Sequence, residues 1–448
     1  MVAAALTDAV VATARFGYAP RPGELATIAQ DPRGWALHQL EAKPTPTLLD
    51  PSLPAAAAMV AEMLQARQEF RKQNDPDAKK AENQHLRAVY LAELDARMHA
   101  AVDGDAPLQE RLVRFWSNHF TVSCVRPIIR GFAGAFEREA IRPHVTGRFI
   151  DMLLAAERHP AMLFYLDQVL SIGPNSQAGQ RRHVGLNENL AREMMELHTL
   201  GVDGGYTQDD VEALARILTG WSIARLNDPN VGQFHFYPQL HEPGAQMLLG
   251  KTYPESGYDQ GELALRDLAA HPATATHIAT KLARHFIADD PPKESVQRIA
   301  AVFRATGGDL KRVTQAVIRE DAAWRPFTKV RTPEDLLIAA CRVTGFTPPP
   351  PFQVQTLHVL DQQPFFAPQP EGWPDQAKDW IGPESVLHRA DCCESFAARL
   401  PNPPDPIVLA DDVFGEALPD EAAQAIRRAA SRREGLALLI ASPEFQRR

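Results

Sequence analysis

The sequence predicts a mainly α-helical globular protein, a multi-helix, bundle-like body with one small β-hairpin insertion. Three observations point there. Apolar residues recur at helical spacing over most of the 448 residues. Capping and breaking residues divide that pattern into segments of ordinary helix length. Strand-like alternation is confined to one stretch, 233–253. A composition of 45% hydrophobic and 23% charged residues is that of a globular chain with material for a large core.

Residues 22–41 read as a helix pair that opens the fold. The proline-bearing segment from Lys43 to Pro54 reads as a loop, and Ala55 to Ala101 as a long charged helix broken near Asn74-Asp75-Pro76-Asp77. Pro107 to Cys124, Gly131 to Arg142 and Asp151 to Val169 are further helices, and Ser171 to Gly185 is a polar loop. The helix from Asn187 stops at Gly201, a natural residue just past a helix end, and Thr207 caps the next one ahead of Asp209 and Asp210. That helix ends near Gly220-Trp221. Phe234 to Tyr237 and Met247 to Gly250 then flank a turn at Glu242-Pro243-Gly244, which gives the hairpin. Helices resume over 261–286, 293–306, 309–321 and 333–344. Pro348 to Pro351 is a linker or rigid turn. Helical segments follow it, with loops at 364–374 and 401–406. The expected organisation is a main helical body, 1–345, with the hairpin inside it, and a helical and loop-rich region, 346–448, packed on it.

A net charge of −9 argues against a nucleic-acid footprint, which needs a basic surface. No apolar run reaches the length of a membrane span. Met1 to Ala14 lacks a basic leader and carries Asp8, so no signal peptide is expected. The compartment is cytoplasmic by default, and periplasmic or exported if a partner carries the signal. Cys124, Cys341, Cys392 and Cys393 form no metal or disulfide spacing and read as reduced packing residues.

The stretch from Asn187 to Gly201 concentrates the chemistry. At about 100° per residue, Glu188, Asn189, Arg192, Glu193, Glu196 and Thr199 share one side. Leu190, Met194 and Leu197 take the other, with His198 on the flank of the apolar side. Glu188–Arg192 and Arg192–Glu196 have ion-pair spacing. One reading is a solvated face laced by ion pairs, with His198 satisfied in the core. The other is a cleft wall in which Glu193 and Glu196 share a metal or divide acid and base roles. His119 with Asn118, beside Phe115, Trp116 and Phe120, is a candidate ligand or general base, or else a buried, hydrogen-bonded histidine. His235, His241 and Glu242 are candidate donors in the hairpin, or surface turn residues. His277, Lys281 and His285 lie at i, i+4 and i+8, where a lysine repels cations and suits an anion. The alternative there is a polar helix face. No nucleophile elbow and no phosphate-cradling glycine loop follows a strand.

These motifs together carry a resemblance. Phe16-Gly17-Tyr18-Ala19-Pro20, Phe115-Trp116-Ser117-Asn118-His119-Phe120 and Asn187 to Gly205 belong to it. So do Tyr206-Thr207-Gln208-Asp209-Asp210, Leu218-Thr219-Gly220-Trp221, His271 to Ala275, Lys281 to Phe286 and Gly372-Trp373-Pro374. With these motifs the chain resembles, over nearly its whole length, an uncharacterised bacterial family catalogued as domain of unknown function number 1800. It departs from the family pattern at Asp361-Gln362-Gln363 and Pro364. The resemblance implies no activity. It implies a possible exported, sulfatase-like companion protein as partner.

The leading functional expectation is an enzyme with a His/carboxylate site, with a metal-dependent hydrolase as its specific form. Its catalytic candidates are His119, Asn118, Arg192, Glu193 and Glu196, and its candidate ligands for a divalent metal are His119, Glu193 and His241. The alternatives are a non-catalytic partner or scaffold for the exported companion, and a glycan or small-molecule binding module that stacks its ligand on Trp116, Trp221 or Trp373. The oligomeric state is open.

Overall fold

Helices dominate the computed structural model, which describes residues 2–42, 50, 52–73, 76–182 and 185–448. The expected break at Asn74-Asp75 and most of the loop after Ala42 lie outside the described residues. One apolar core runs from Ala9 to Phe445 and draws on nearly every helix. The opening helix, Val2–Arg15, packs on Pro32–His38 and on Pro406–Phe414, so early and late segments of the chain meet. Helix Pro76–Asp103 packs on Pro107–His119, Pro333–Thr344 and Pro350–Val359. Pro272–Phe286, Lys293–Thr306 and Leu310–Arg319 pack consecutively. Pro383–Arg399, Pro406–Phe414 and Asp420–Arg427 all pack on Arg432–Ala441.

Buried arginines tie these layers together through backbone carbonyls. Arg15 donates to the carbonyls of Phe286, Ile287, Ala323, Arg325 and Arg448 and to Thr328 Oγ1. Two of those carbonyls are orphans at the end of helix Pro272–Phe286, which a cation satisfies well. Gly17, Tyr18 and Ala19 each offer a carbonyl to a different arginine, Arg111, Arg331 and Arg342. The opening motif is therefore an anchoring strip.

The β structure differs from the single hairpin expected. β1 (Trp221–Ile223) pairs antiparallel with β2 (Phe234–Phe236), and β3 (Gln246–Leu248) with β4 (Lys251–Tyr253). The two strands read from the sequence are real, but each has its own partner. β3 and β4 are joined by Leu249 and Gly250, both at positive φ (51° and 72°), the backbone of a tight two-residue hairpin. Lacking an Asn-Gly or Asp-Gly signal, this turn was hidden.

Three helical expectations also change. Residues 127–144 form a succession of 3-10, α and π turns instead of one helix. The 171–185 loop contains a short helix, Gln177–Arg182. The signature helix is α only over Asn189–Glu193 and widens to a π turn over Met194–His198. Thr199 Oγ1 donates to the Met194 carbonyl at 2.7 Å, and Gly201, at φ 84°, ends the segment. Thr207 caps its helix as expected, and Asp210 caps it in return, accepting from the Thr207 backbone N–H.

Candidate functional site

His119, the last residue of helix Pro107–His119, is fully buried. Its Nε2 donates to the His198 carbonyl at 3.1 Å, which leaves Nδ1 unprotonated and without a partner. Trp116 and Phe120 stand edge-on to the ring, 5.2 and 4.6 Å between centroids. Burial holds its pKa well below the ordinary value, helped by Lys281, His277 and His198, so the ring is neutral. Asn118 next to it is a latch. Its Nδ2 donates to the Trp373 carbonyl at 2.9 Å, and its Oδ1 accepts from the Trp373 N–H at 2.7 Å. Gly372, at φ 87°, lies so close that a Cβ there would come within 2.6 Å of that oxygen. Only glycine fits both the backbone and the space.

The signature residues separate into two groups. Arg192 bonds Glu188 at 2.8 Å and Gln208 at 2.9 Å on a partly exposed face, an ordinary surface network. Glu193 is part-buried, and burial raises its pKa, with Glu196 adding to the rise and His198 and Arg192 opposing it. Glu196 faces the Tyr206 hydroxyl. His198 is turned inward by the π turn, where Nδ1 donates to Glu157 Oε1 at 2.7 Å with both side chains at or below 1% exposure. The sequence reading of a core-satisfied His198 holds. Its partner Glu157, on helix Phe149–Arg158, carried no motif and was missed.

The hairpin candidates are structural neighbours of the turn. His241 Nδ1 donates to the Thr219 carbonyl at 2.8 Å, with Glu255 3.4 Å from Nε2. Glu242 accepts from the Asn175 backbone and side chain, which holds the 173–176 loop. Among the described residues no three His, Cys, Asp or Glu side chains form a group that could hold a metal ion. His119, Glu193 and His241 are thus not gathered into the ligand set expected of them.

A different place collects unused chemistry. A cavity of about 320 Å³ opens between the end of helix Pro107–His119, helix Pro272–Phe286, the start of helix Pro333–Thr344 and the 362–379 loop. The loop is strapped down by the Asn118 latch, by Cys124 N–H to the Phe365 carbonyl at 2.7 Å, and by Ser123 Oγ to the Ala367 carbonyl at 2.6 Å. Gln362 Oε1 accepts the Glu334 N–H at 2.8 Å. Most charges lining the cavity are paired. Arg111 binds Asp335 at 2.9 Å, Arg114 binds Glu334 at 3.2 Å, and Arg97 binds both Glu334 and Glu137. Asp335 is held well below its ordinary pKa: burial, the largest influence, pushes it up, and Arg111 and Arg448 overcome that.

Six other ionisable residues line it: Lys281, Arg284, His285, Glu371, Asp375 and Asp379. His285 Nδ1 donates to Asp375 Oδ2 at 2.7 Å, which leaves its Nε2 with a free lone pair and no partner. Burial lowers the imidazole to about 4 against the pull of Asp375, so it is neutral and able to accept a proton. Asp375 stays ionised: burial pushes its pKa up, but His285, Lys329 and Arg448 bring it far below the usual range. Lys281, one turn before His285, has no hydrogen bond or ion pair among the described residues. Burial lowers it to about 8, with Glu371 and Asp375 opposing and Arg284 adding. Arg284 itself spends only one long bond, 3.4 Å, on the Asp289 carbonyl. The helix face read as an anion site therefore faces inward, and the cleft borrows Phe115 and Asn118 from the aromatic motif. Asp375 lies 90 residues beyond His285, and nothing in the sequence ties the two.

The molecule is thus a mainly helical protein with a mixed-charge cleft, of no fold class that names a reaction. A family model described as a protein of unknown function, DUF1800, matches residues 11–447, and the chain belongs to that family. No curated protein and no solved structure matches it.

Proposed function

We propose that the protein is an enzyme whose acid–base site is the 320 Å³ cleft, and that its substrate is a small anion. The observation that carries this reading is the Asp375–His285 pair with the unpaired Lys281 one turn away in the same cavity. An imidazole oriented by a carboxylate on Nδ1 keeps its Nε2 lone pair for a proton, the arrangement a general base needs, and here that atom is itself buried. Lys281 and Arg284 supply cationic groups for the ligand at the same wall. The reading needs no ion at His119, Glu193 and His241. Isothermal titration with small carboxylates, phosphates and sulfates tests it. Saturable binding that is lost in Lys281→Met and Arg284→Ala, with the fold intact by circular dichroism, supports it. No binding across the panel, or equal binding by both variants, overturns it.

A non-catalytic role beside an exported companion protein is the second reading. It is favoured by how fully the motif polar groups bond one another, as Asn118 and Trp373 do. The glycan reading loses two of its three stacking surfaces. Trp116 and Trp221 are buried at 1% and 0% exposure, and only Trp373 lines the cleft.

A further inference from the structure

Lys281 has four features that a mere counter-ion for a bound anion does not need. Its ammonium has no bonded partner among the described residues, whereas Arg97, Arg111 and Arg114 around it are all bonded to carboxylates. Its cavity is also lined by the apolar side chains of Phe115, Val122 and Trp373. A base lies one turn on, His285, held by Asp375. Arg284, three residues on, also lines the cavity and is nearly free to bind a carboxylate.

We propose that Lys281 captures the carbonyl carbon of a small oxo acid as an imine, with Arg284 binding the acid's carboxylate. This rests on the reading of the cleft as an acid–base site and names its substrate class. The neutral amine of Lys281 attacks the carbonyl carbon. The C–N bond forms as the C=O π pair moves to oxygen, and one amine proton passes to that oxygen. The nitrogen lone pair then closes the C=N bond as the hydroxyl leaves with the second amine proton, as water. Amine plus carbonyl gives imine plus water, with no oxidant or reductant involved. A lysine lowered to about 8 leaves roughly a tenth of the amine neutral at pH 7, against well under a thousandth for an ordinary lysine.

The test is reductive trapping on the full chain. The protein is incubated with pyruvate or glyoxylate and sodium cyanoborohydride at pH 7, and adducts are mapped by peptide mass spectrometry. The expected result is a single dominant adduct on Lys281, formed at least ten times faster than on Lys251 or Lys293 and absent from Lys281→Arg. Adducts spread over surface lysines with none at Lys281 overturn the proposal. Lactate, which has the carboxylate but no carbonyl, separates the two claims. Lactate binding without pyruvate trapping overturns the imine and leaves the acid–base cleft standing. Neither binding nor trapping removes both. Because the wild-type protein alone gives the mapped adduct, the result does not depend on the variant folding.

Discussion

Among the described residues the same pair, with a buried and unpartnered Nε2, occurs twice. Glu157–His198 and Asp375–His285 each join a carboxylate to Nδ1 at 2.7 Å, and each leaves Nε2 without a partner. Their surroundings differ. The first pair is sealed at 0% and 1% side-chain exposure beneath the signature helix, next to Phe120. The second is 24% and 13% exposed in a cavity shared with Lys281. A His–carboxylate pair is therefore not a site by its own geometry. A cavity with unpaired neighbours makes it one, and a sealed pair serves packing.

Four changes break or sharpen that contrast. The largest effect belongs to the sealed pair. Glu157→Ala leaves a buried imidazole without its acceptor and costs about 3–5 kcal/mol by urea unfolding, while anion binding per folded molecule is unchanged. A loss below about 1 kcal/mol would show that Glu157 and His198 are not coupled. Next is Asn118→Ala, which removes both bonds to Trp373. It costs about 2 kcal/mol and speeds hydrogen exchange at the Trp373 amide, and an unchanged exchange rate there would refute the latch.

The third concerns pH. The folded state releases the Lys281 proton near pH 8 and the unfolded state near 10.5, so folding releases a proton between those values. Stability carried by this group rises with pH across that window and is lost as pH falls through it, with no further change below about 8. Its slope is up to about 1.4 kcal/mol per pH unit. Subtracting the pH profile of Lys281→Met from wild type isolates it. The Met variant is equally or more stable at pH 7, and identical profiles would rule out a perturbed lysine. The smallest effect is Arg192→Ala, worth about 0.5 kcal/mol or less because its bonds are partly exposed. A loss above about 2 kcal/mol would restore a central role to the signature face.

Legibility in the sequence followed the range of the interaction. Helix Pro333–Thr344 has the bounds read for it, set by a Thr332 cap and a Gly345 stop that each act within one turn. Cap and stop were equally plain at Thr207 and Gly201. The direction of the signature face was only half legible. A 100° step holds to Glu193, and the π turn then swings His198 inward. Asn118 and His119 were singled out for their residue types, yet their roles depend on partners far along the chain, Trp373 and His198.

By itself the sequence determined the helical class, the caps, the family and the stripe of His277, Lys281 and His285 on one helix face, all of which rest on periodicity and short spacing. Only the tertiary structure decided which stripe faces a cavity, which histidine is sealed and which carboxylate each receives. Glu157 reaches His198 across 41 positions and Asp375 reaches His285 across 90. Such pairings come from how helices pack, which places side chains by burial and shape, and no local pattern encodes them.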